Sequence, residues 1–399
     1  MSRIDRGDID HAVRIRPRNA VVEKAMNRRL IAKLTLAFCS IAFVLAIGEV
    51  GIRLLMPQRM SIWSNTRDGL EIHWPGLKTY LHNHNRILTI NSAGMRDREH
   101  EIQKPNGVFR ILVLGDSFME ALQVDWEDSL PGLLDRDLAA DGVEVITAAV
   151  SGWSTAKQVT YLERYGLAYE PDLVLLVMTL HNDFIENRNL PFHSIENGLV
   201  VANPPEYMSV TQYASLKAKA FMSSHSHLFR LAFLTTQARA RKQGSRALEQ
   251  HVSELFRHQL SPELELARDL TRQLFIRLVR VSRDAGARVA VVLIPLSSQL
   301  SDEKFEKFLT KHRLDSNTTD REQPQKWVKE WAAETEVPVV DLLDAFRSWT
   351  ANHEKWLHVA DGHWGKEGHA LAAEETLRQL HTEIRRTPDA RRQKPPVAQ

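Results

Sequence analysis

Two short runs hold side chains that could do acyl chemistry together. Gly115-Asp116-Ser117-Phe118 supplies a hydroxyl, and Asp361-Gly362-His363-Trp364 supplies an imidazole with a carboxylate two positions before it. A serine hydroxyl is a poor nucleophile until a base removes its proton. Imidazole has a suitable basicity, and a carboxylate on its second nitrogen fixes tautomer and orientation. Asp361 and His363 fit those two roles. Residues two apart do not share a helix face, so the pair requires the loop that Gly362 allows. Asp341 and Asp344 are alternative acids, without that fixed local relation to the histidine. Attack by serine would also build negative charge on the former carbonyl oxygen, where a fixed donor is worth about 3 to 4 kcal/mol. Ser151-Gly152-Trp153-Ser154 offers a glycine amide for this, and His181-Asn182-Asp183 an asparagine side chain.

Plainer roles compete at several of these positions. Asp116 reads as a strand-ending residue that bonds its own loop, and Asp183 as one that holds the loop of Asn182. His181 is a substrate contact or a satisfied loop histidine. Trp153 and Trp364 flank the expected site and either stack on a sugar or fill its rim. His358, His363 and His369 lack the carboxylate or cysteine partners of a metal site, so neither metal nor cofactor is expected.

These groups need elements that carry them to one edge. From about Val108 the pattern alternates strand and helix, as in a parallel sheet covered on both faces. Phe109 to Gly115 (FRILVLG), Val143 to Val150 (VEVITAAV), Asp172 to Leu180 (DLVLLVMTL), Ala287 to Pro295 (ARVAVVLIP) and Val337 to Leu342 (VPVVDL) read as its strands. Helices are expected near Glu127–Ala140, Thr155–Ala168, Glu263–Ala285 and Lys366–Ile384. The continuous apolar run of the third strand marks burial on both faces. Ser117, Gly152 and Asn182 then follow three strands at their carboxyl ends, where open α/β sheets place their sites. Residues 186–262 show no strand signal and read as a helical insertion, either a cap over the site or surface decoration.

Leu34 to Gly48 carries no charge, and apolar character continues to Met56 with only Glu49 and Arg53 intervening. This is long enough to span a bilayer, which takes roughly 20 residues. The Lys/Arg excess in residues 1–33 would hold the N-terminus in the cytoplasm and send the remainder outside. The rival readings are a core helix and a signal peptide cleaved after Ala46-Ile47-Gly48. The remaining boundaries are a lead-in at 57–107, a main domain at 108–385 and a polar tail at 386–399 expected to be disordered.

The chain has 399 residues, 43% of them hydrophobic, with a formal charge of +2 and a single cysteine, Cys39. That charge is too small to argue for nucleic acid. One cysteine forms no internal disulfide, so stability rests on core packing.

In order and placement, Gly115-Asp116-Ser117, Gly152, Asn182 and Asp361-x-His363 resemble the Ser, Gly, Asn and His blocks of the SGNH hydrolases, over roughly Asn91 to Leu380. The resemblance implies a three-layer α/β/α, flavodoxin-like fold with about five parallel strands. It implies Ser117 as nucleophile, His363 as base, Asp361 as its orienter, and an oxyanion hole from the Ser117 amide, the Gly152 amide and the Asn182 side chain. No cofactor follows from it. Asn91-Ser92-Ala93-Gly94-Met95-Arg96 resembles a lead-in of membrane-linked bacterial members. Many secreted members place the Asp three residues before the His. The spacing of two followed by Trp, as here, is more similar to periplasmic enzymes that acetylate or deacetylate exopolysaccharides. The expectation is an inner-membrane esterase or deacetylase, with its domain in the periplasm, acting on acylated envelope glycans or lipids. An O-acyltransferase and a non-catalytic envelope binding protein are the alternatives, and no protein partner is indicated.

Overall fold

The computed structural model describes residues 18–385 apart from 82, 83, 189, 191, 354 and 355. The tail expected at 386–399 and the first 17 residues of the basic stretch lie outside these. In chain order the elements begin with α1 (Arg18–Leu55), then the short strands β1 (Trp63–Asn65), β2 (Glu71–His73), β3 (Lys78–Leu81) and β4 (Arg86–Thr89). Next come β5 (Phe109–Gly115), α2 (Ser117–Glu120), α3 (Leu130–Leu138), β6 (Val143–Ala149), α4 (Thr155–Arg164), β7 (Leu173–Thr179) and α5 (Leu180–Glu186). The insertion holds β8 (His193–Glu196), β9 (Leu199–Ala202), α6 (Val210–His225) and α7 (His227–Glu254). The chain continues with α8 (Pro262–Asp284), β10 (Arg288–Ile294), α9 (Asp302–His312), α10 (Gln323–Glu334), β11 (Val339–Asp341), α11 (Leu343–Asn352) and α12 (Lys366–Arg385).

Five strands form one parallel sheet in the order β11-β10-β7-β5-β6. All seven residues of β5 and of β7 are buried, as continuous apolar runs require when both faces are covered. Alternation divides each strand between two cores. Leu112 and Leu114 of β5 join one, with Phe184, Leu274 and Trp331. Ile111 and Val113 join the other, with Leu134, Phe346 and Trp364. The chain leaves β5 for β6 on one side and returns to β7 on the other, so the order reverses between β5 and β7. Sites of open α/β sheets form at such a reversal. Sequence-encoded caps set the helix starts. Ser261 accepts the Leu264 amide ahead of Pro262, and Glu263 and Glu265 occupy the positive first turn of α8.

The insertion is not wholly helical. β8 and β9 pair as an antiparallel hairpin through Asn197-Gly198, both at positive φ (53° and 78°). Asn-Gly between two apolar stretches is a strong hairpin signal and was legible. Four lead-in strands, paired β1 with β2 and β3 with β4, were also not expected. At three or four residues they are too short for a periodicity signal.

The stretch Arg28–Leu55 is long and apolar enough to cross a membrane. The insertion is fastened to it. Glu49 accepts from the Ser226 hydroxyl (2.8 Å) and from the His227 and Leu228 amides (3.0 and 2.9 Å), the unpaired donors at the start of α7. Arg53 donates to the His225 carbonyl at 3.0 Å.

Candidate active site

Three strand ends and one loop build the site. Ser117 opens α2 directly after β5, and the Asp116 side chain caps that helix by accepting the Phe118 amide at 3.0 Å. A side chain on Gly115 would meet Met119 Cγ at 2.3 Å, so the tight turn from strand to helix excludes any larger residue. Asn182, beyond the end of β7, donates from Nδ2 to Asp116 Oδ2 at 3.0 Å. One buried carboxylate thus orients both the turn that carries Ser117 and the asparagine. Burial pushes that Asp116 carboxyl up from its ordinary value, against the Phe118, Asn182 and Thr179 hydrogen bonds and the charge of His363.

Opposite, His363 Nε2 lies 2.8 Å from Ser117 Oγ, and its Nδ1 lies 3.1 Å from Asp361 Oδ1. Asp361 Oδ1 also accepts the His363 amide at 3.1 Å, and Gly362 makes the turn at φ 89°. Burial alone would raise Asp361. The Gln123 amide, the His363 amide and the His363 ring outweigh it and hold the carboxyl below its ordinary range. Asp341, by contrast, binds Lys329 at 2.5 Å, and Asp344 is exposed beside Arg347.

Gln123 was not anticipated. Its Nε2 donates to Asp361 Oδ2 at 3.0 Å across 238 residues of sequence, a pairing that no local pattern announces. Because Asp361 is half exposed, the bond is worth about 1 kcal/mol. Gln123→Ala is therefore expected to lower kcat about three- to ten-fold with KM nearly unchanged, as read from initial rates on a small aryl ester.

Ser117, His181, Asn182, Asp361 and His363 line one cleft of about 830 Å³. His181 is held neutral there, its basicity lowered to about 4 by burial and then by the charge of His363. Gly152, after β6, also lines a smaller hollow of about 300 Å³ with Glu71 and Lys157, and its carbonyl accepts from Lys157 at 3.3 Å.

The two tryptophans expected either to stack on a sugar or to fill the rim are fully buried, so neither alternative holds. Trp153 lies in the core against Tyr161 and donates from Nε1 to the Glu71 carbonyl at 2.9 Å. Trp364 packs edge-on against Phe118 at 5.0 Å, with Phe346 and His369 around it, and so braces the His363 loop from beneath. Apolar rings beside a loop glycine gain more from the core than from the rim. His369 likewise packs inside, its Nδ1 accepting the Leu130 amide at 3.2 Å.

Two buried groups tie the lead-in to the turn that carries Ser117. Arg96 donates to the carbonyls of Glu120 (2.9 Å), Ala121 and Val124 (2.7 Å). Glu120 at the end of α2 meets His73 Nε2 at 2.9 Å, and accepts the Ser151 amide at 2.7 Å and the Ser151 hydroxyl. Burial would raise Glu120, but His73 and Ser151 prevail and lower it.

Asp183 anchors α4, its Oδ1 accepting the Thr155 amide and hydroxyl, both at 2.7 Å. Burial and then the neighbouring Asp116 push it up to about 8. An unfolded aspartate titrates near 3.9. The folded chain thus keeps a proton that the unfolded chain loses, and stability falls as pH rises between about 4 and 8. Asp183→Asn is expected to flatten that decline in a series of thermal melts across the same range.

A serine hydroxyl, an imidazole and a carboxylate in mutual contact at the carboxyl edge of a parallel sheet are the arrangement of an α/β hydrolase-type protein. Residues 113–371 match the GDSL-like Lipase/Acylhydrolase family, and the chain belongs to that family. Solved structures similar to it include TesA, at 16% identity over 68% of this chain and 98% of that one, with a TM-score of 0.37. The psychrotrophic esterase EstA from Pseudoalteromonas sp. is 15% identical over 69% and 98% of the two chains, with a TM-score of 0.36. A catalytic mutant of Axe2, an acetylxylan esterase from Geobacillus stearothermophilus, is 16% identical over 70% and 96%, with a TM-score of 0.39. No curated protein matches the chain.

Proposed function

We propose that the protein is a serine-dependent ester hydrolase working through an acyl-enzyme on acylated glycans of the bacterial cell envelope. The observation that carries this reading is the unbroken relay from Asp361 through His363 to Ser117 Oγ, with contacts of 3.1 and 2.8 Å. His363 takes the hydroxyl proton as Ser117 Oγ bonds to the ester carbonyl carbon, and returns it to the departing alkoxide. Water then repeats the sequence and releases the acid. The Ser117 amide opens a helix and so has no partner within it. With Asn182 Nδ2 it would hold the oxyanion, the Gly152 amide being the third candidate donor. Asp361 is 45% exposed on its side chain, so solvent reaches the relay, which favours hydrolysis over transfer to a sugar hydroxyl. Arg28–Leu55 would anchor the chain in the inner membrane with the basic N-terminus in the cytoplasm and the hydrolase domain in the periplasm.

The test is acetate release from p-nitrophenyl acetate by the full chain in detergent, with and without a polysaccharide acceptor, beside Ser117→Ala. Release that depends on Ser117 supports the mechanism. Acetyl groups appearing on the polysaccharide would replace hydrolysis with transfer. Equal slow release by both proteins would remove Ser117 from the reaction.

A further inference from the structure

The junction of α6 and α7 is bonded to the end of the helix read as a membrane span. Arg28–Leu55 has 28 residues, about 42 Å at 1.5 Å each, close to the full thickness of a bilayer with its headgroups. The last two turns of α1 therefore lie at headgroup level. Glu49 and Arg53 stand there, and they hold the junction through the Ser226 hydroxyl, the His227 and Leu228 amides and the His225 carbonyl. Leu228 also packs on α1, its Cδ2 3.5 Å from where a side chain on Gly48 would begin. Groups bonded to one another share a depth. The junction thus sits at the boundary between headgroups and acyl chains.

Its surface suits that place. Phe221 and Met222 are 51% and 41% exposed about one turn before the junction, and Phe221 stacks on the His225 ring at 4.1 Å. A phenyl ring and a thioether gain nothing from water, whereas the acyl boundary of a bilayer buries them. Cations flank them. Lys219 Nζ and the Arg230 guanidinium stand 5.2 and 5.7 Å from the centroid of the Phe233 ring, and Arg230 Nε donates to the Arg59 carbonyl at 3.0 Å. From residue 207 to residue 248 the sequence carries seven Lys and Arg and no Asp or Glu. Charge of one sign favours an anionic lipid surface and repels a second copy of the same stretch.

We infer that the α6–α7 junction is a second membrane contact, in which Phe221 and Met222 enter the acyl boundary of the nearer leaflet and the surrounding lysines and arginines meet anionic lipid phosphates. This rests on reading Arg28–Leu55 as a span, and adds where the rest of the chain touches lipid. A single helix would let the hydrolase domain swivel, and a second contact restrains it. α7 carries that restraint from the junction to Val252, which lines the cleft of Ser117 and His363.

The experiment reads depth in a bilayer. The full chain is reconstituted into phosphatidylcholine vesicles containing phosphatidylglycerol, with a small fluorophore on native Cys39, or on Phe221→Cys, Met222→Cys or Asp284→Cys in a Cys39→Ser background. Asp284, exposed at the end of α8 just before β10, marks the sheet edge opposite Ser117. Lipids spin-labelled at the headgroup and at the chain end quench each label according to its depth. Cys39 is expected deep in the bilayer, the Phe221 and Met222 positions about 5 to 10 Å below the headgroups, and Asp284 unquenched. Replacing phosphatidylglycerol by phosphatidylcholine should cut quenching at Phe221 about two-fold and leave Cys39 unchanged. Quenching at Cys39 with none at Phe221 and Met222 would overturn the inference and leave the span standing, while no quenching at any of the three would remove both. A Phe221 position shielded from aqueous iodide yet untouched by lipid quenchers would put a protein on this face instead. Quenching indifferent to phosphatidylglycerol would overturn the part given to the cations.

Discussion

Ser117→Ala is expected to lower kcat/KM on p-nitrophenyl acetate by roughly four to six orders of magnitude, leaving only what the oxyanion donors and binding achieve alone. The geometry gives the reason. His363 Nε2 is 2.8 Å from Ser117 Oγ and 3.1 Å separates its other nitrogen from Asp361, so the base has one proton to take and one orienter. Without the hydroxyl, His363 can at best direct a water into the cleft. His363→Ala should cost nearly as much as Ser117→Ala, and the double variant little more, because the three residues act as a unit. Additive losses in the double variant would mean that the two residues work separately. Thermal melts identical to wild type would place the loss in chemistry, since Ser117 is half-buried at a helix start and the alanine removes only its hydroxyl oxygen.

Glu120→Ala carries the second large expectation, a loss of stability of about 3 to 5 kcal/mol. The Glu120 and His73 side chains are completely buried, and Glu120 also receives both polar groups of Ser151. Removing the carboxylate takes the acceptor from the Ser151 amide and hydroxyl and the charge partner from the fully buried His73, and opens a cavity beside the turn after Ser117. For a domain of this size the midpoint should fall by about 10 °C. Glu120→Gln retains an acceptor for Ser151 and should lose less than half as much. Because the folded state holds this carboxyl below its ordinary value, its contribution is complete above the unfolded value and fades as acid protonates it. The wild-type melting temperature should therefore drop toward low pH more steeply than that of Glu120→Gln. A melt of Glu120→Ala indistinguishable from wild type would show that His73 and Ser151 find other partners.

Both expectations depend on groups that differ in how openly the sequence displays them. Ser117 and Asn182 were legible because each follows a strand, Asp361 and His363 because they share one short loop, and all five sheet strands because apolar runs of β-branched and leucine residues have few other uses in water. The Asn197-Gly198 hairpin is written in the chain, although the composition around it is helical. Trp153 and Trp364 could not be assigned, since a tryptophan beside a site serves the core or the ligand equally well until its neighbours are known. Trp364 went inward because Phe118 and Phe346, 246 and 18 positions earlier in the chain, leave a ring-sized space under the His363 loop.

The sequence by itself therefore determined the alternation of strands and helices, the sheet edge at which chemistry-bearing residues emerge, and the local Asp361-Gly362-His363 turn. These follow from hydrophobic periodicity, from caps and from glycine conformations, all of which act over a few residues. Only the tertiary structure decided that Gln123 meets Asp361, that His73 and Arg96 from the lead-in brace the turn after Ser117, and that Glu49 fastens the insertion to α1. Each of those contacts joins segments far apart in the chain. Their partners are selected by packing and by the need to satisfy buried polar groups, and neither is set by the residues on either side.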